Sequence, residues 1–338
     1  MATISRFLNK EVEIGMEKLR KLLLQEDPIE KQQRLNHGQN INYMGLGYGP
    51  GIIPRIPRSN FFQHSWVAAT KQHRYSYMPA HTHSFIEFNY QFSGQSIQQL
   101  NGREYILQAG ELLVMDQSLI QRYGYMGTDD LLVNVLLDIE QLPANFISDI
   151  RPANGLIRFL YNSLDQHADH NDYLIYDLTD YPETIAIWEE LMYYALSNVR
   201  PYETRQLLME TALSCLPDPQ VTHMNVSNPT DRTINDVMRY INQHFATVSL
   251  AEVSQHFNYN KNYLGNKLKQ NTGMSFGELL DRKRLLTAES LLLDTDWTTA
   301  KIAEQLGYQN TSSLFRLFQN QVGMTPARFR QIHRGELN

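Results

Sequence analysis

One pattern is written twice in the last hundred residues or so of this 338-residue chain. The first copy runs Val253-Ser-Gln-His-Phe-Asn-Tyr259, then Asn260-Lys-Asn-Tyr-Leu264-Gly-Asn-Lys-Leu268, and ends Thr272-Gly273-Met274-Ser275. The second runs Ile302-Ala-Glu-Gln-Leu-Gly-Tyr308, then Gln309-Asn-Thr-Ser-Ser-Leu314-Phe-Arg-Leu-Phe318, and ends Val322-Gly323-Met324-Thr325. The offset is 49 residues up to the tyrosines and 50 after them, so the second copy carries one extra residue in its turn. Each copy reads as a short helix, a tight turn and a second helix with apolar residues four apart, the sequence form of a helix-turn-helix.

These residues resemble the DNA-binding domain of the AraC/XylS family of transcription regulators. The resemblance rests on Tyr308, Phe315, Phe318, Gly323, Met324, Thr325, Pro326, Phe329 and Arg330. It rests also on the run between the copies, Phe276-Gly-Glu-Leu-Leu-Asp-Arg-Lys-Arg-Leu-Leu-Thr-Ala-Glu-Ser-Leu-Leu-Leu293, which is similar to the linker helix of that family. It covers roughly residues 230 to 334, about a third of the chain. It implies double-stranded DNA as a partner, entered by the second helix of each copy. A plain bundle accounts for Leu264, Leu268, Leu314 and Phe318, which belong in a core, but not for the duplicated turns.

Asn262, Gly265 and Asn266 stand where members of the family contact bases, and Asn pairs bidentately with adenine. Gly265 offers no side chain, so the first reading helix is expected to read few bases. Lys261, Lys267 and Lys269 are expected on phosphates, which position without specifying. In the second helix Leu314 and Phe318 face inward and Thr311, Ser312, Ser313 and Arg316 take the other side. Arg316 is expected to read guanine O6 and N7, a solvated helix residue or a phosphate clamp being the alternatives.

A net charge of −6 argues by itself against nucleic acid, but the distribution is uneven. Residues 230 to 338 hold 13 Lys and Arg against 10 Asp and Glu, and the remainder holds 17 against 26. The C-terminal part suits DNA and the N-terminal part avoids it. No window approaches a membrane span and no signal-peptide core is read at the start, so a cytoplasmic location is expected. The one cysteine, Cys215, excludes an intrachain disulfide and a Cys-cluster zinc site, and is expected as a small buried side chain.

Residues 10 to 26 place Val12, Met16, Leu19 and Leu23 on one helical face, closed by Asp27-Pro28; Gly45 to Pro57 reads as loop. From Phe62 to Asp138 short β-type runs follow: Trp66–Ala69, Phe85–Phe92, Glu104–Leu107, Glu111–Met115 and Leu131–Leu137. Ser93-Gly94, Asn101-Gly102 and Ala109-Gly110 punctuate them, Asn101-Gly102 suiting a hairpin. Within this region His81-x-His83-x₃-Glu87-x₆-Gly94 matches the first motif of the cupin superfamily. Residues two apart on a strand share a face, so His81, His83, Phe85 and Glu87 are expected to project into one barrel interior. The second cupin motif departs from its pattern: Asp116-Gln117-Ser118 replaces the proline-glycine turn and Gln121 stands near the expected histidine. No metal and no other cofactor is therefore expected, and no catalytic residue. Trp66, Tyr77, His81, His83, Glu87, Tyr90, Arg122 and Tyr123 are the candidate lining of a barrel-mouth site for a small polar effector such as a sugar.

Two helices are expected at Pro182 to Ser197 and Tyr202 to Cys215, with stripes Ile185, Trp188, Met192, Ala195 and Leu207, Leu208, Ala212, Cys215. The fold class expected is α+β and multidomain. It comprises an N-terminal helical arm (1–40), a cupin-like β-barrel (41–142), a helical dimerisation region (143–217), a linker (218–229) and an all-α domain with two helix-turn-helix motifs (230–338). The resemblance implies a transcription regulator, an activator by family habit, acting as a homodimer and touching RNA polymerase. A metal-dependent cupin enzyme fused to a DNA-binding tail, and a regulator whose barrel takes no small ligand, are the alternatives.

Overall fold

The computed structural model describes residues 17–38, 52–62, 65–143, 146–150, 154–165, 168, 170–197, 201–223 and 229–334. The chain divides into two compact units, one of residues 1–47 and 56–226 and one of residues 48–55 and 227–338.

The first unit opens with helices α1 (residues 17–24) and α2 (Pro28–Leu35). Leu19 and Leu23 are fully buried, as the expected stripe requires, while Val12 and Met16 lie outside the described residues. Nine strands follow: β1 (Arg55–Ile56), β2 (Val67–Lys71), β3 (Met78–His83), β4 (Ile86–Ser93), β5 (Gln95–Leu100), β6 (Arg103–Gln108), β7 (Glu111–Met115), β8 (Gln121–Tyr123) and β9 (Leu131–Leu137). After α3 (Phe146–Ile150) and α4 (Asn154–Leu164) comes β10 (Tyr173–Asp177), then α5 (Pro182–Ser197), α6 (Tyr202–Ser214) and β11 (Val221–His223). They form two sheets, β1-β3-β8-β5-β6 and β11-β10-β7-β4-β9-β2.

The six-stranded sheet is buried on both faces. Ile86, Phe88 and Tyr90 of β4 join α1 and α3 to α6 in one core, with Trp188, Leu191 and Met192 of α5 against them. Leu113 and Met115 of β7, Leu132 of β9 and Ile175 of β10 face the other sheet, where Leu100, Leu107 and Tyr123 meet them. The Asn101-Gly102 hairpin is present, with Leu100 opposite Arg103 and both turn residues at positive φ, 47° and 78°.

Several elements differ from the sequence reading. Residues 173–177, read as part of a helical region, pair with β7, and residues 221–223, read as linker, pair with β10. The α6 stripe is rotated: Met209, Ala212 and Leu213 are buried, whereas Leu207 is 64% exposed. Cys215 is exposed rather than buried.

The second unit comprises α7 (Pro229–His244), α8 (Leu250–His256), α9 (Lys261–Thr272), α10 (Phe276–Asp294), α11 (Thr299–Gln305), α12 (Thr311–Val322) and α13 (Pro326–His333). It has two cores. Ile234, Val237, Ile241, Val253, Leu264, Leu268 and Leu279 fill the first; Ile52, from the stretch read as loop, belongs to it. Ala288, Leu292, Ile302, Leu306, Leu314, Phe318 and Phe329 fill the second. Helix α10 supplies residues to both, so one rigid element carries the two halves.

Candidate nucleic-acid interface and ligand cavity

The duplication is present in backbone detail. Both turns pass through the left-handed region one residue before the tyrosine, at Asn258 (φ 56°) and Gly307 (φ 81°). The Tyr259 amide donates to the Ser254 carbonyl at 2.8 Å, and the Tyr308 amide to the Ala303 carbonyl at 3.0 Å. Each reading helix then starts on an asparagine cap. Asn260 Oδ1 accepts from the amides of Asn262 and Tyr263, and Asn310 Oδ1 from the amide of Ser313. Four residues separate α8 from α9 and five separate α11 from α12, which locates the extra residue in the second turn. Both reading helices end on a left-handed glycine, Gly273 and Gly323.

With Leu264 and Leu268 buried, α9 turns Lys261, Asn262, Asn266 and Lys269 outward; Gly265 and Lys267 are half-buried. Lys267 Nζ lies 5.8 Å from the centre of the Tyr263 ring. Tyr263, 49% exposed on this face, was absent from the sequence-based set although it directly follows Asn262. On α12 Ser312 and Arg316 are exposed, and Thr311 and Ser313 are half-buried. The Ser313 hydroxyl lies 3.4 Å from Asn310 Oδ1, which makes this side chain part of the cap. Phe315 is also exposed on α12 and was not among the expected contacts. Counting three and four residues along the helix from Ser312 finds both Phe315 and Arg316.

Arginines of the connecting elements hold the two halves in register. Arg284 of α10 donates through Nε to the Leu306 carbonyl at 3.1 Å and through Nη2 to the carbonyls of Phe245 and Ala246 at 3.3 and 3.4 Å. Its guanidinium also lies 4.9 Å from the Tyr308 ring centre. Three carbonyls that end helices α7 and α11 thus receive one cation. Arg330 of α13 closes the end of α10 in the same way, donating to Leu292, Thr295 and Trp297 carbonyls.

The first unit holds a cavity of about 260 Å³ whose lining includes His81, His83, Phe85, Glu87, Tyr123 and Asn134. The sequence reading put the two histidines and Glu87 on one strand. They lie on two, because the chain bends at Ser84 and Phe85 between β3 and β4. The bend brings His83 Nε2 to 2.6 Å from Glu87 Oε2. Glu87 Oε1 accepts from Asn89 Nδ2 at 2.7 Å, and the Tyr123 hydroxyl donates toward it at 3.3 Å. Burial pushes the Glu87 carboxyl up, but His83 and His81 outweigh it and hold the group below its ordinary range. Burial, together with Glu87, pushes the Tyr123 phenol up, so it stays a hydrogen-bond donor.

Gln121, opposite His81 across the β3–β8 pair, donates to Asn89 Oδ1 at 2.7 Å and to Gln98 Oε1 at 3.0 Å. The chain of amides continues from Gln98 to Ser96 and Gln91. Where a second-motif histidine would give an imidazole, this chain has a neutral amide tied into a network. His81 Nδ1 is 2.7 Å from the Pro79 carbonyl and so carries the proton there. Among the described residues no three His, Cys, Asp or Glu side chains group as metal ligands.

Four of the eight expected lining residues, His81, His83, Glu87 and Tyr123, meet at this cavity. Trp66 and Tyr90 do not: both sit in the core between sheet and helices, Trp66 edge-on to Phe146 at 5.0 Å and Tyr90 bonded to Glu189 at 3.3 Å. Strand alternation sends Tyr90 away from Glu87, since they differ by an odd number of positions. Arg122, half-buried between the buried Gln121 and Tyr123, does not line the cavity, nor does Tyr77, which is 51% exposed. The reading missed the wall supplied by Asp27, Lys71 and His73. There Lys71 Nζ meets Glu30 Oε2 at 2.6 Å and His73 Nε2 meets Asp27 Oδ2 at 3.2 Å, tying the start of α2 to β2.

Comparison with known proteins assigns each of these regions. The family described as AraC-like ligand binding domain matches residues 65–137, and the family described as helix-turn-helix domain matches residues 253–332. The chain is similar to HTH-type transcriptional activator RhaS of Escherichia fergusonii, at 27% identity over 83% of this chain and 91% of that protein. It is similar also to HTH-type transcriptional activator RhaS of an Enterobacter species, at 25% identity over 86% of this chain and 96% of that one. Among solved structures, the C-terminal domain of AraT, a response regulator from Geobacillus stearothermophilus, aligns at 29% identity with 32% of this chain and 88% of its own, with a TM-score of 0.30. Both regions are thus matched in one polypeptide: an AraC-like ligand-binding domain precedes a helix-turn-helix domain, and the chain is homologous to the RhaS activators of the AraC family.

Proposed function

We propose that this chain is a one-component transcription activator that works by binding rather than by catalysis. A small polyhydroxylated molecule, a sugar being the first candidate, occupies the cavity lined by His81, His83, Glu87, Tyr123 and Asn134. Helices α9 and α12 enter successive major-groove segments on one side of a duplex, about 34 Å or roughly 10 base pairs apart. The protein acts in the cytoplasm as a homodimer on two such sites and touches RNA polymerase there. The observation that carries this reading is the pairing, in one chain, of two capped helices with outward polar side chains and a cavity in which His81, His83, Glu87, Tyr123 and Asn134 stand beside apolar walls. Glu87, Asn134 and Tyr123 present carboxylate, amide and phenol groups beside the Phe85 and Phe61 rings, a combination suited to hydroxyls on an apolar ring face. The exposed Leu207 on α6 supports a protein contact on that helix.

The test is footprinting by the full-length protein on DNA upstream of neighbouring genes, with and without a panel of sugars, beside a thermal-shift screen of the same panel. Protection of two adjacent major-groove segments, with one sugar raising the melting temperature and altering the footprint, is expected. Binding to promoter and random DNA with equal affinity at physiological salt overturns the DNA-reading part. A footprint unchanged by every compound, with no shift in melting, overturns the sugar.

A further inference from the structure

The outward stripe of the second reading helix contains one residue whose chemistry does not match its surroundings. Ser312, Phe315, Arg316 and Gln319 are all exposed and fall at the spacing that places residues on one helix face. The other large apolar residues of this stretch, Leu314, Leu317 and Phe318, are buried at 0, 6 and 0% exposure. Phe315 stays at 38%. A phenyl ring held in water beside Ser312 and Arg316 makes no hydrogen bond to a base edge or a phosphate. Among the groups that base pairs display in the major groove, the thymine C5-methyl is the apolar one.

We propose that Phe315 is a specificity residue that reads a thymine methyl, at a base position adjacent to the one met by Arg316. The duplication supplies an internal contrast. The position 50 residues earlier is Gly265, which has no side chain with which to touch a methyl group. A Cβ built there would meet only Leu250 Cδ2, at 3.4 Å, so ordinary packing does not demand a glycine at this point. The two readers therefore differ at this position: α12 carries a phenyl ring there and α9 carries no side chain. The sensitivity falls in one of the two major-groove segments, and the operator is chemically asymmetric within a single monomer's footprint. This inference rests on the DNA-reading function proposed above.

The experiment selects a preferred duplex from a random pool with the full-length protein, then replaces its thymines one at a time by deoxyuridine, which removes the methyl and nothing else. Wild-type protein is expected to lose about threefold to fivefold in affinity at one thymine in one segment, the worth of a single buried methyl. Phe315→Ala is expected to bind thymine and uracil equally at that position and to treat every other position as the wild type does. The wild-type arm needs no variant, so it stands even where a substitution perturbs the helix. Wild-type binding that is indifferent to deoxyuridine throughout a selected duplex overturns the proposal and leaves DNA reading intact. Undiminished methyl sensitivity in Phe315→Ala overturns it too, by assigning the contact to another residue. A selection that returns no preferred sequence removes both this proposal and the function beneath it.

Discussion

Burial pushes the Glu189 carboxyl of α5 up to about 7, only partly countered by the Tyr90 hydroxyl that donates to it at 3.3 Å. A carboxyl raised above its unfolded value near 4.5 binds its proton more tightly in the fold, so its contribution is fully present below that value and lost as pH climbs through 7. Glu189→Gln is expected to raise stability by about 2–3 kcal/mol at pH 8 and to change little below pH 4.5. Urea unfolding across that range checks it, and a gain independent of pH would assign the effect to packing. Glu30 has the opposite sign. Its burial raises the carboxyl, Arg74 and Lys71 overcome this, and the group settles at about 2, so its stabilisation exists at neutral pH and fades as pH falls from 4.5 toward 2. Neither residue was legible in the sequence, because the partners stand 99 positions away for Glu189 and 44 for Glu30. The outward placement of Arg316 was legible from helix periodicity alone. Arg316→Ala is expected to cost about 1–3 kcal/mol of operator binding and to relax one base position. Equal weakening on operator and random DNA in a titration would make it a phosphate contact instead.

At the scale of elements, the repeated turn shows how much a short pattern can specify. Offsets of 49 and 50 residues were enough to place two turns and the extra residue, and all are present; the asparagine caps that open both helices come from the structure. The conformation is the same but the tolerance is not: Asn258 occupies the left-handed region in the first turn, and Gly307 occupies it in the second. A Cβ on Gly307 would stand 1.7 Å from the Ala246 carbonyl oxygen, in the segment that also accepts Arg284. Gly307→Ala is therefore expected to cost at least about 2 kcal/mol, from left-handed strain plus displacement of that backbone. Asn258→Gly in the same conformation should stay within about 1 kcal/mol. Comparable melting of the two variants would mean that the turns yield where the geometry says they cannot. The strands were less legible for a physical reason. In β5, Ser96 and Gln98 point inward to an amide network, so the apolar alternation that marks a half-buried strand is inverted. In β10 the run Tyr-Leu-Ile-Tyr is buried on both faces and reads equally well as a piece of helix.

For the whole molecule the question is how occupancy of one unit can bear on the other. The sequence made the division visible through its charge, since the basic excess lies beyond residue 230 and the acidic excess before it. It did not show that strands 173–177 and 221–223 belong to the sensing fold. In the function proposed above, the ligand occupies a cavity lined by residues of the first unit, and DNA is met by α9 and α12 of the second. The ligand can alter DNA affinity only by the difference between its own affinities for the two states involved. That difference is a single coupling free energy, and it must be read identically from either side. If saturating effector tightens operator binding tenfold, saturating operator must tighten effector binding tenfold, whatever the path between them. Titration calorimetry of effector with and without operator, against operator titrations with and without effector, measures both ratios. Glu87→Gln removes the carboxylate that His83 and Asn89 hold in place, so it should weaken the effector while leaving DNA affinity at its effector-free value. Unequal ratios would mean that the two titrations report different species, such as a dimer formed in one and not the other. A shift in basal DNA affinity in Glu87→Gln would mean that the cavity network sets the resting state even when empty.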